Sequence, residues 1–152
     1  MIRTERAGDE VAIRAVETAA FGIDRDAQIV DDLRGSDAYI PELSLVAEDG
    51  GAVVGHVIVS RGHVEPSGEP IFLLGPIGVV PEREGEGIGS SLVDAALAGD
   101  PAYYERFGFL EAEPLELLPP AGWRSRPFQV ALLDPEAELP QGRVEYSNAF
   151  RD

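Results

Sequence analysis

Hydrophobic and polar residues alternate along two neighbouring stretches of the chain, which predicts a β-hairpin. Leu43–Glu48 has the period of a strand, Asp49-Gly50-Gly51 is a hairpin turn signal, and Ala52–Arg61 is the partner strand. Gly62-His63 is expected to end that strand. The period of two assigns its side chains to opposite faces. Val53, Gly55, Val57 and Val59 are predicted on one face, and Val54, His56, Ile58 and Ser60 on the other.

Helical spacing of apolar residues predicts two helices near the start of the chain. After a short strand at Ile2-Arg3-Thr4, Asp9 is expected to cap a helix that runs to Phe21. An acidic second helix follows over residues 25–34. The predicted apolar positions are Val11, Ala15 and Ala19 in the first helix, and Ile29, Val30 and Leu33 in the second.

A continuous apolar run, Ile71–Val80, predicts a central strand that is buried on both faces. Pro81 ends it, and the glycine-rich stretch Gly85–Gly89 leads into a helix that begins near Ser90. Shorter elements are predicted downstream: a helix at Pro101–Arg106, strands at Phe107–Leu110, Pro127–Leu133 and Arg143–Tyr146, and a loop at Pro114–Pro120. Without repeats or a long linker, the pattern indicates one mixed α/β domain over residues 1–152.

The amino-acid composition and net charge exclude several classes of function. The chain has 152 residues, 44% of them hydrophobic, and a net charge of −16; its 12 basic residues are all arginines. This acidity argues against nucleic-acid binding, which needs clustered cations. The lack of cysteine excludes disulfides, thiolate metal sites and a cysteine nucleophile. No apolar run reaches the length of a membrane span, so a cytoplasmic protein without a membrane partner is expected.

The lack of lysine beside 28 carboxylates also needs a cause. A carboxylate-rich surface stays hydrated in concentrated salt, where repulsion is screened within roughly 3 Å at 1 M. We interpret the composition as halophilic, an adaptation to a salt-loaded cytoplasm. The alternative is an ordinary acidic protein with few lysines by chance.

The turn after the apolar run has the residues of a phosphate-binding loop. Glycines at 85, 87 and 89 let successive backbone N–H groups point into one concavity, and the following helix N-terminus adds further donors. A Walker A loop is excluded because it needs a lysine, and a Rossmann loop would follow the first strand. The alternative is a tight turn without a ligand.

Two sequence blocks resemble the GNAT family of N-acetyltransferases. Residues 84–89, Glu-Gly-Glu-Gly-Ile-Gly, are similar to the family's Gln/Arg-x-x-Gly-x-Gly/Ala loop, and Tyr103–Phe109 is similar to its Phe-Tyr-x-x-x-Gly-Phe block. The ending Gly142–Phe150 resembles the YhbS-like subgroup. The resemblance covers most of the chain from Leu43 onward. It implies a mixed, splayed sheet flanked by helices, with acetyl-CoA as cosubstrate and no metal.

The resemblance also implies residue roles. Backbone groups of Ile77, Gly78 and Val79 would pair with the pantetheine arm, and Tyr104 would protonate the departing thiolate, with Tyr103 packing beside it. The pyrophosphate loop would comprise Glu84, Gly85, Glu86, Gly87, Ile88, Gly89 and Ser90. The expected partner is a small-molecule or peptide amine, and a homodimer stays open.

Two departures from the family pattern bear on activity. Glu84 and Glu86 stand where the family often has Gln, Arg or another basic residue, and carboxylates oppose a diphosphate. The apolar run carries no carboxylate to serve as general base. His56 is the first replacement, acting through water, with His63 or Glu65 as others, although a lone strand histidine is more often structural. A non-catalytic acyl-CoA-binding or regulatory domain of the same fold is therefore the alternative function, and a structural subunit a weaker one.

The chain is short where the family has a long helix and a fifth strand. Ser90–Ala98 supplies about nine helical residues, roughly 13 Å, and Gly99-Asp100-Pro101 follows at once. Either this protein lacks the fifth strand, or a segment is missing from the sequence between Leu97 and Asp100. We favour the second and expect one Cα separation there well above the usual value of about 3.8 Å.

Overall fold

The computed structural model describes residues 1–97, 110–111, 117–118, 129–130 and 141–150. Three helices belong to this part of the chain: α1 (Glu10–Phe21), α2 (Arg25–Arg34) and α3 (Ile88–Ala96). Its strands are β1 (Ile2–Thr4), β2 (Tyr39–Asp49), β3 (Ala52–Glu65), β4 (Glu69–Val79), β5 (Leu110–Glu111), β6 (Leu117–Leu118), β7 (Gln129–Val130) and β8 (Gly142–Glu145).

The sheet is built around β3. Strands β1, β2, β3 and β4 are consecutive antiparallel neighbours, and β8 pairs with the end of β3 in the same sense. β6 lies parallel to β8, while β5 and β7 form a separate two-stranded pair. The fold is therefore a mixed α/β sheet flanked by helices, as predicted.

Helices cover the two faces of this sheet with separate hydrophobic cores. On one face, α1 and α2 bury Ile13, Val30 and Leu33 against Val46 and Ile58. On the other, α3 buries Leu92 and Ala96 against Leu45, Val57 and Val59. Each fully buried Leu, Ile or Val contributes about 1.5–3 kcal/mol. The predicted alternation of β3 is confirmed for His56 and Ile58 against Val57 and Val59, so His56 faces α1 and α2. It is wrong for Val53 and Val54, which lie on the opposite faces to those predicted because the β2–β3 register shifts between Ala47 and Glu48.

The predicted apolar face of α1 is wrong. Val11 is 82% exposed and Ala15 and Ala19 are exposed, whereas Ile13, Val16 and Glu17 are buried. The prediction followed Val11, Ala15 and Ala19 because they are apolar and have helical spacing. The helix face that is in fact buried includes the carboxylate of Glu17, which the sequence pattern assigns to solvent.

Asp9 lies at the N-cap position of α1, but its carboxylate does not cap the helix. Its oxygens accept hydrogen bonds from the Arg3 guanidinium at 2.7 and 3.1 Å and from the backbone N–H of Arg6 at 2.7 Å. The Arg3 side chain holds the pKa of Asp9 at about 2. The carboxylate thus joins β1 to α1 rather than serving the helix end.

β3 does not end at Gly62-His63 but continues to Glu65. Its last residues pair with β4 on one edge and with β8 on the other. A Cβ at Gly62 would lie 2.7 Å from the carbonyl oxygen of Glu145, so glycine lets β8 approach closely enough to pair. β4 also differs from the expected doubly buried strand. Within the described chain it pairs only with β3, most of its residues are partly exposed, and Phe72 is 54% exposed.

The downstream predictions lie mostly outside the described residues. This applies to the helix at 101–106, to residues 107–109 of the next predicted strand, and to the junction between Leu97 and Asp100. β7 falls within a predicted strand and β8 begins one residue before another, whereas β6 lies in the predicted loop 114–120. No helix in the described part of the chain is long and apolar enough to span a membrane.

Candidate active site

The glycine-rich turn connects the end of β4 to the start of α3. A single 3-10 turn, Pro81–Arg83, follows the strand, and Gly85 and Gly87 then take left-handed φ values of 80° and 83°. Other residues rarely adopt this conformation, so glycine is required at both positions. Gly87 is the N-cap of α3, as the predicted strand–turn–helix arrangement requires.

The loop has the shape and polarity of an anion cradle. A Cβ at Gly85 or Gly87 would meet no atom within 4 Å, so the space beside these backbones is open. The hydrogen bond from Ser91 N to Gly87 O is the first of α3 at 3.0 Å. The preceding amides, Ile88, Gly89 and Ser90, are the unsatisfied donors of a helix N-terminus, and the helix dipole adds positive potential there. These residues fit a diphosphate.

Arg83 neutralises part of the acidic charge around the loop. Its Nε lies 2.6 Å from Glu86 Oε2, and its Nη1 lies 2.8 Å from Asp49 Oδ2 in the β2–β3 turn. These two carboxylates raise the pKa of the Arg83 guanidinium. Glu86 therefore has a cationic partner that the sequence pattern did not predict.

Strand β4 contains a β-bulge shortly before the cradle. Ile77 pairs with Val57 and Leu74 with Val59, so the β4 side of the ladder carries one residue more than the β3 side. The extra residue lies at Gly75-Pro76, which is a cis peptide with Gly75 at φ 127°. Beyond this bulge, Ile77, Gly78 and Val79 lead directly to the loop, and in the described chain no strand pairs with their outer edge.

A buried ionisable pair lies beneath β4. The Nδ1 atom of His56 is 2.6 Å from Glu17 Oε1, and both side chains are fully buried. Glu17 Oε2 has no hydrogen-bond partner. Burial is the largest cause that raises the pKa of the Glu17 carboxyl, opposed by the hydrogen bond from His56. Because Gly78 pairs with His56, the carboxylate lies directly against the strand that leads to the loop.

Polar contacts continue from this pair to the protein surface. His56 Nε2 is 3.1 Å from Ser44 Oγ, and the Ser44 hydroxyl donates to Glu5 Oε2. Glu5 Oε1 in turn accepts a 2.7 Å hydrogen bond from Arg34 Nε. Tyr39 borders this row, and burial, with Glu5 as the next cause, raises the pKa of its phenol. Strands β2 and β3 and helices α1 and α2 are thereby joined across one face of the sheet.

The three candidates for the general base, His56, His63 and Glu65, lie in two different parts of β3. His56 lies beside Gly78, but neither of its ring nitrogens reaches solvent. His63 and Glu65 form an exposed pair, 2.9 Å apart, near the far end of β3, roughly 23 Å along the strand from His56. Tyr103 and Tyr104 lie outside the described residues. Their roles stay predictions.

Sequence reasoning missed Glu17 and Glu5. Glu17 is 39 residues from His56 in the chain, and no spacing rule connects them. The available signal was its place four residues after Ile13, where a carboxylate interrupts an otherwise apolar helical stripe. Among the described residues, no cluster of three or more side chains suits a metal ion.

Residues 11–113 match the Acetyltransferase (GNAT) family. The chain belongs to this family of N-acetyltransferase enzymes, and the predicted family is thereby confirmed. Among its relatives is YhbS of Escherichia coli strain K12, named an uncharacterized N-acetyltransferase. The two are 34% identical over 167 positions, covering 99% of this chain and 98% of YhbS. YjhQ of the same strain, also named an uncharacterized N-acetyltransferase, is 33% identical, covering 66% of this chain but only 64% of YjhQ.

Two solved structures share the fold. Escherichia coli YhbS in complex with CoA matches with a TM-score of 0.84 and 32% identity, covering 100% of this chain and 92% of that chain. A GNAT family acetyltransferase from Brucella melitensis in complex with acetyl-CoA matches with a TM-score of 0.73 and 35% identity, covering 99% and 97%.

The alignment with YhbS bears on the predicted missing segment. It runs over 167 positions while this chain has 152 residues, so at least 15 positions of the alignment have no counterpart here. That length would accommodate a strand of about 5–6 residues together with its connections. The place of the gap, predicted between Leu97 and Asp100, stays a prediction.

Proposed function

We propose that this protein transfers the acetyl group of acetyl-CoA to a primary amine by direct attack in a ternary complex. The observation that carries the proposal is the open, glycine-lined cradle at the N-terminus of α3, placed at the end of a strand whose outer edge is unpaired within the described chain. The binding of CoA by YhbS and of acetyl-CoA by the Brucella protein supports it.

In this proposal each part of the site has a separate task. The loop amides from Gly85 to Ser90 hold the pyrophosphate, and Ile77, Gly78 and Val79 align the pantetheine arm along β4. The amine attacks the thioester carbonyl, and Tyr104 protonates the thiolate that leaves. Proton removal from the amine falls to the buried pair that contains His56.

A non-catalytic acyl-CoA-binding or regulatory domain is the second candidate. It is favoured by the absence of a carboxylate from residues 71–80 and by the acidic side chains at Glu84 and Glu86. The second point is weakened by the 2.6 Å contact between Arg83 and Glu86.

Two measurements distinguish these functions. Calorimetry with acetyl-CoA tests the cradle, and mass spectrometry tests acetylation of lysine, spermidine, kanamycin and a peptide with a free amino terminus. Both are run at high and low KCl. Binding with acetylation of any of these amines supports the enzyme, binding without acetylation supports the second candidate, and no binding contradicts both.

Substitution of Tyr104 tests the proposed acid. Tyr104→Phe is expected to lower kcat at least tenfold, a barrier increase of about 1.4 kcal/mol or more, while acetyl-CoA affinity stays within about twofold. Tyr103→Phe is the matched control and should retain turnover, because Tyr103 is assigned to packing. Equal turnover in the Tyr104 variant and the parent would remove Tyr104 from this role.

Salt dependence tests the halophilic interpretation. With a net charge of −16 and Glu84 beside the cradle, acetyl-CoA should bind more tightly as KCl rises from about 0.1 to about 2 M, because screening weakens the repulsion. Glu84→Gln should reduce this dependence. A steady loss of affinity with salt, in protein shown by circular dichroism to stay folded, would indicate instead that cations dominate the site. Cytoplasmic location stays a prediction.

A further inference from the structure

We propose that Glu17 is the general base of the acetyl transfer, the carboxylate that takes the proton of the acceptor ammonium. The inference rests on the proposed function and deepens it. It assigns the catalytic contact to a residue of α1, and it makes His56 a positioning residue that acts through Glu17.

The first argument is the environment of Glu17 Oε2. This oxygen is fully buried and has no hydrogen-bond partner, whereas Oε1 is held by His56 at 2.6 Å. A buried carboxylate oxygen without a donor costs free energy, and native proteins satisfy nearly all such atoms with a protein group, a water molecule or a ligand. A bound ammonium group would supply the missing donor.

Only small residues separate this oxygen from the surface of β4. A Cβ built at Gly78 would lie 2.9 Å from Glu17 Oε2 and 3.1 Å from the Ala20 side chain. Any larger residue at Gly78 would displace the carboxylate. Ala20 is half-buried and lies in the last turn of α1, which ends at Phe21. The Glu17 side chain is fully buried, so the last turn of α1 must move aside before an ammonium group can reach this oxygen.

The arrangement of the helices places Glu17 opposite the cofactor cradle. Helix α3, whose N-terminus forms the cradle, packs on the face of the sheet that carries Val57 and Val59. Glu17 lies on the other face with Ile13 and Ile58. Once that turn moves, an amine on the side of β4 away from the phosphates would contact this carboxylate at Gly78.

The hydrogen bonds of His56 explain why Glu17 Oε2, rather than a ring nitrogen of His56, accepts the proton of the ammonium group. Three contacts join Glu17, His56, Ser44 and Glu5 in a row. Both ring nitrogens of His56 are engaged, Nδ1 by Glu17 Oε1 and Nε2 by Ser44 Oγ, whereas Glu17 Oε2 has no hydrogen-bond partner. Glu17 Oε2 is therefore the acceptor that remains in the pair.

The step balances without another reactant. The ammonium gives one proton to Glu17 Oε2 and becomes a neutral amine, whose lone pair forms the C–N bond as the C–S bond breaks. The departing thiolate takes a proton from Tyr104. The attacking nitrogen loses its second proton to solvent, and Tyr104 regains a proton from solvent. Glu17 returns its proton to solvent after the product leaves.

Burial and the charged groups around Glu17 together raise the pKa of its carboxyl, which makes the carboxylate a stronger base. Burial raises the pKa of its carboxyl, His56 on β3 opposes this, and Asp26 on α2 adds to it. The part of β4 between Ile71 and Val79 contributes no titratable side chain. A general base is most effective when its pKa approaches the working pH.

Glu17→Gln tests the assignment, because it keeps the shape of the side chain and removes the charge. With the amine identified by the screen above, kcat/KM is expected to fall by about a hundredfold or more, with acetyl-CoA affinity within about twofold. The rise of kcat/KM with pH that belongs to the base should disappear from the profile. Glu42→Gln, on the exposed part of β2, is the matched control and should behave as the parent.

A second nucleophile separates catalysis from structure. Hydroxylamine is largely unprotonated at neutral pH and needs no base before attack, so Glu17→Gln should acetylate it within about threefold of the parent rate. Equal losses with both nucleophiles, or an unchanged pH profile, would overturn the assignment of Glu17. A parent protein that binds no acetyl-CoA or acetylates no amine would overturn the proposed function itself, and this inference with it.

Discussion

His56→Ala is expected to lower the free energy of unfolding by about 3–5 kcal/mol, because it leaves the carboxylate of Glu17 buried without its partner. Both side chains are fully buried, so bulk solvent does not reach the carboxylate. Denaturant unfolding at neutral pH measures the loss. Since burial raises the pKa of Glu17, its carboxyl gains a proton first in acid, and the loss should shrink as the pH falls through that pKa.

The second histidine provides the control. His63 is also 2.9 Å from a carboxylate, that of Glu65, but both side chains are about half exposed, and such a pair contributes about 0–1 kcal/mol. His63→Ala should therefore change stability little. The cost of His56→Ala should also fall in a Glu17→Gln background, where no charge is left unpaired. An equal cost in both backgrounds would mean that the lost stability comes from packing and not from the buried charge.

Gly87→Val should weaken acetyl-CoA binding by roughly tenfold to a hundredfold. Gly87 has a φ of 83°, and a β-branched residue there is strongly disfavoured, so the loop would turn at least one amide away from the pyrophosphate. Loss of one hydrogen bond to a charged group costs about 1.5–3 kcal/mol, which corresponds to this range of affinity. Calorimetric titration with acetyl-CoA measures the change.

Gly51→Val is the matched control for this substitution. Gly51 also has a φ of 83°, and a Cβ there likewise meets no atom within 4 Å, but it lies in the β2–β3 turn. Both variants should lose similar stability through backbone strain, and only Gly87→Val should lose affinity. Similar affinities in the two variants would contradict the placement of the pyrophosphate at Gly87.

The site elements that depend on local chemistry could be predicted from the sequence. A loop with glycines at 85 and 87 before a helix has few alternatives, because left-handed φ values select glycine and an apolar run ended by Pro81 must turn there. The hairpin at Asp49-Gly50-Gly51 is specified in the same way. These local signals, together with the downstream aromatic block, were sufficient to indicate the family.

The elements that depend on distant partners could not be predicted. Gly62 was interpreted as a strand end because its signal is local, whereas the strand continues by pairing with β4 on one edge and with the distant β8 on the other. The face of α1 was misassigned because Glu17 looks solvent-exposed when considered alone. Its burial is tolerated only because His56, on another element, donates to it.

The sequence by itself determined the glycine cradle and the strand that leads to it, since both follow from backbone preferences of consecutive residues. Its motifs also resemble those of the family. Only the tertiary structure decided that Glu17 and His56 form one buried pair beneath Gly78, and that Arg83 neutralises Glu86. A charge is stabilised by whatever group lies within a few ångströms, and folding, not the order of residues along the chain, brings such groups together.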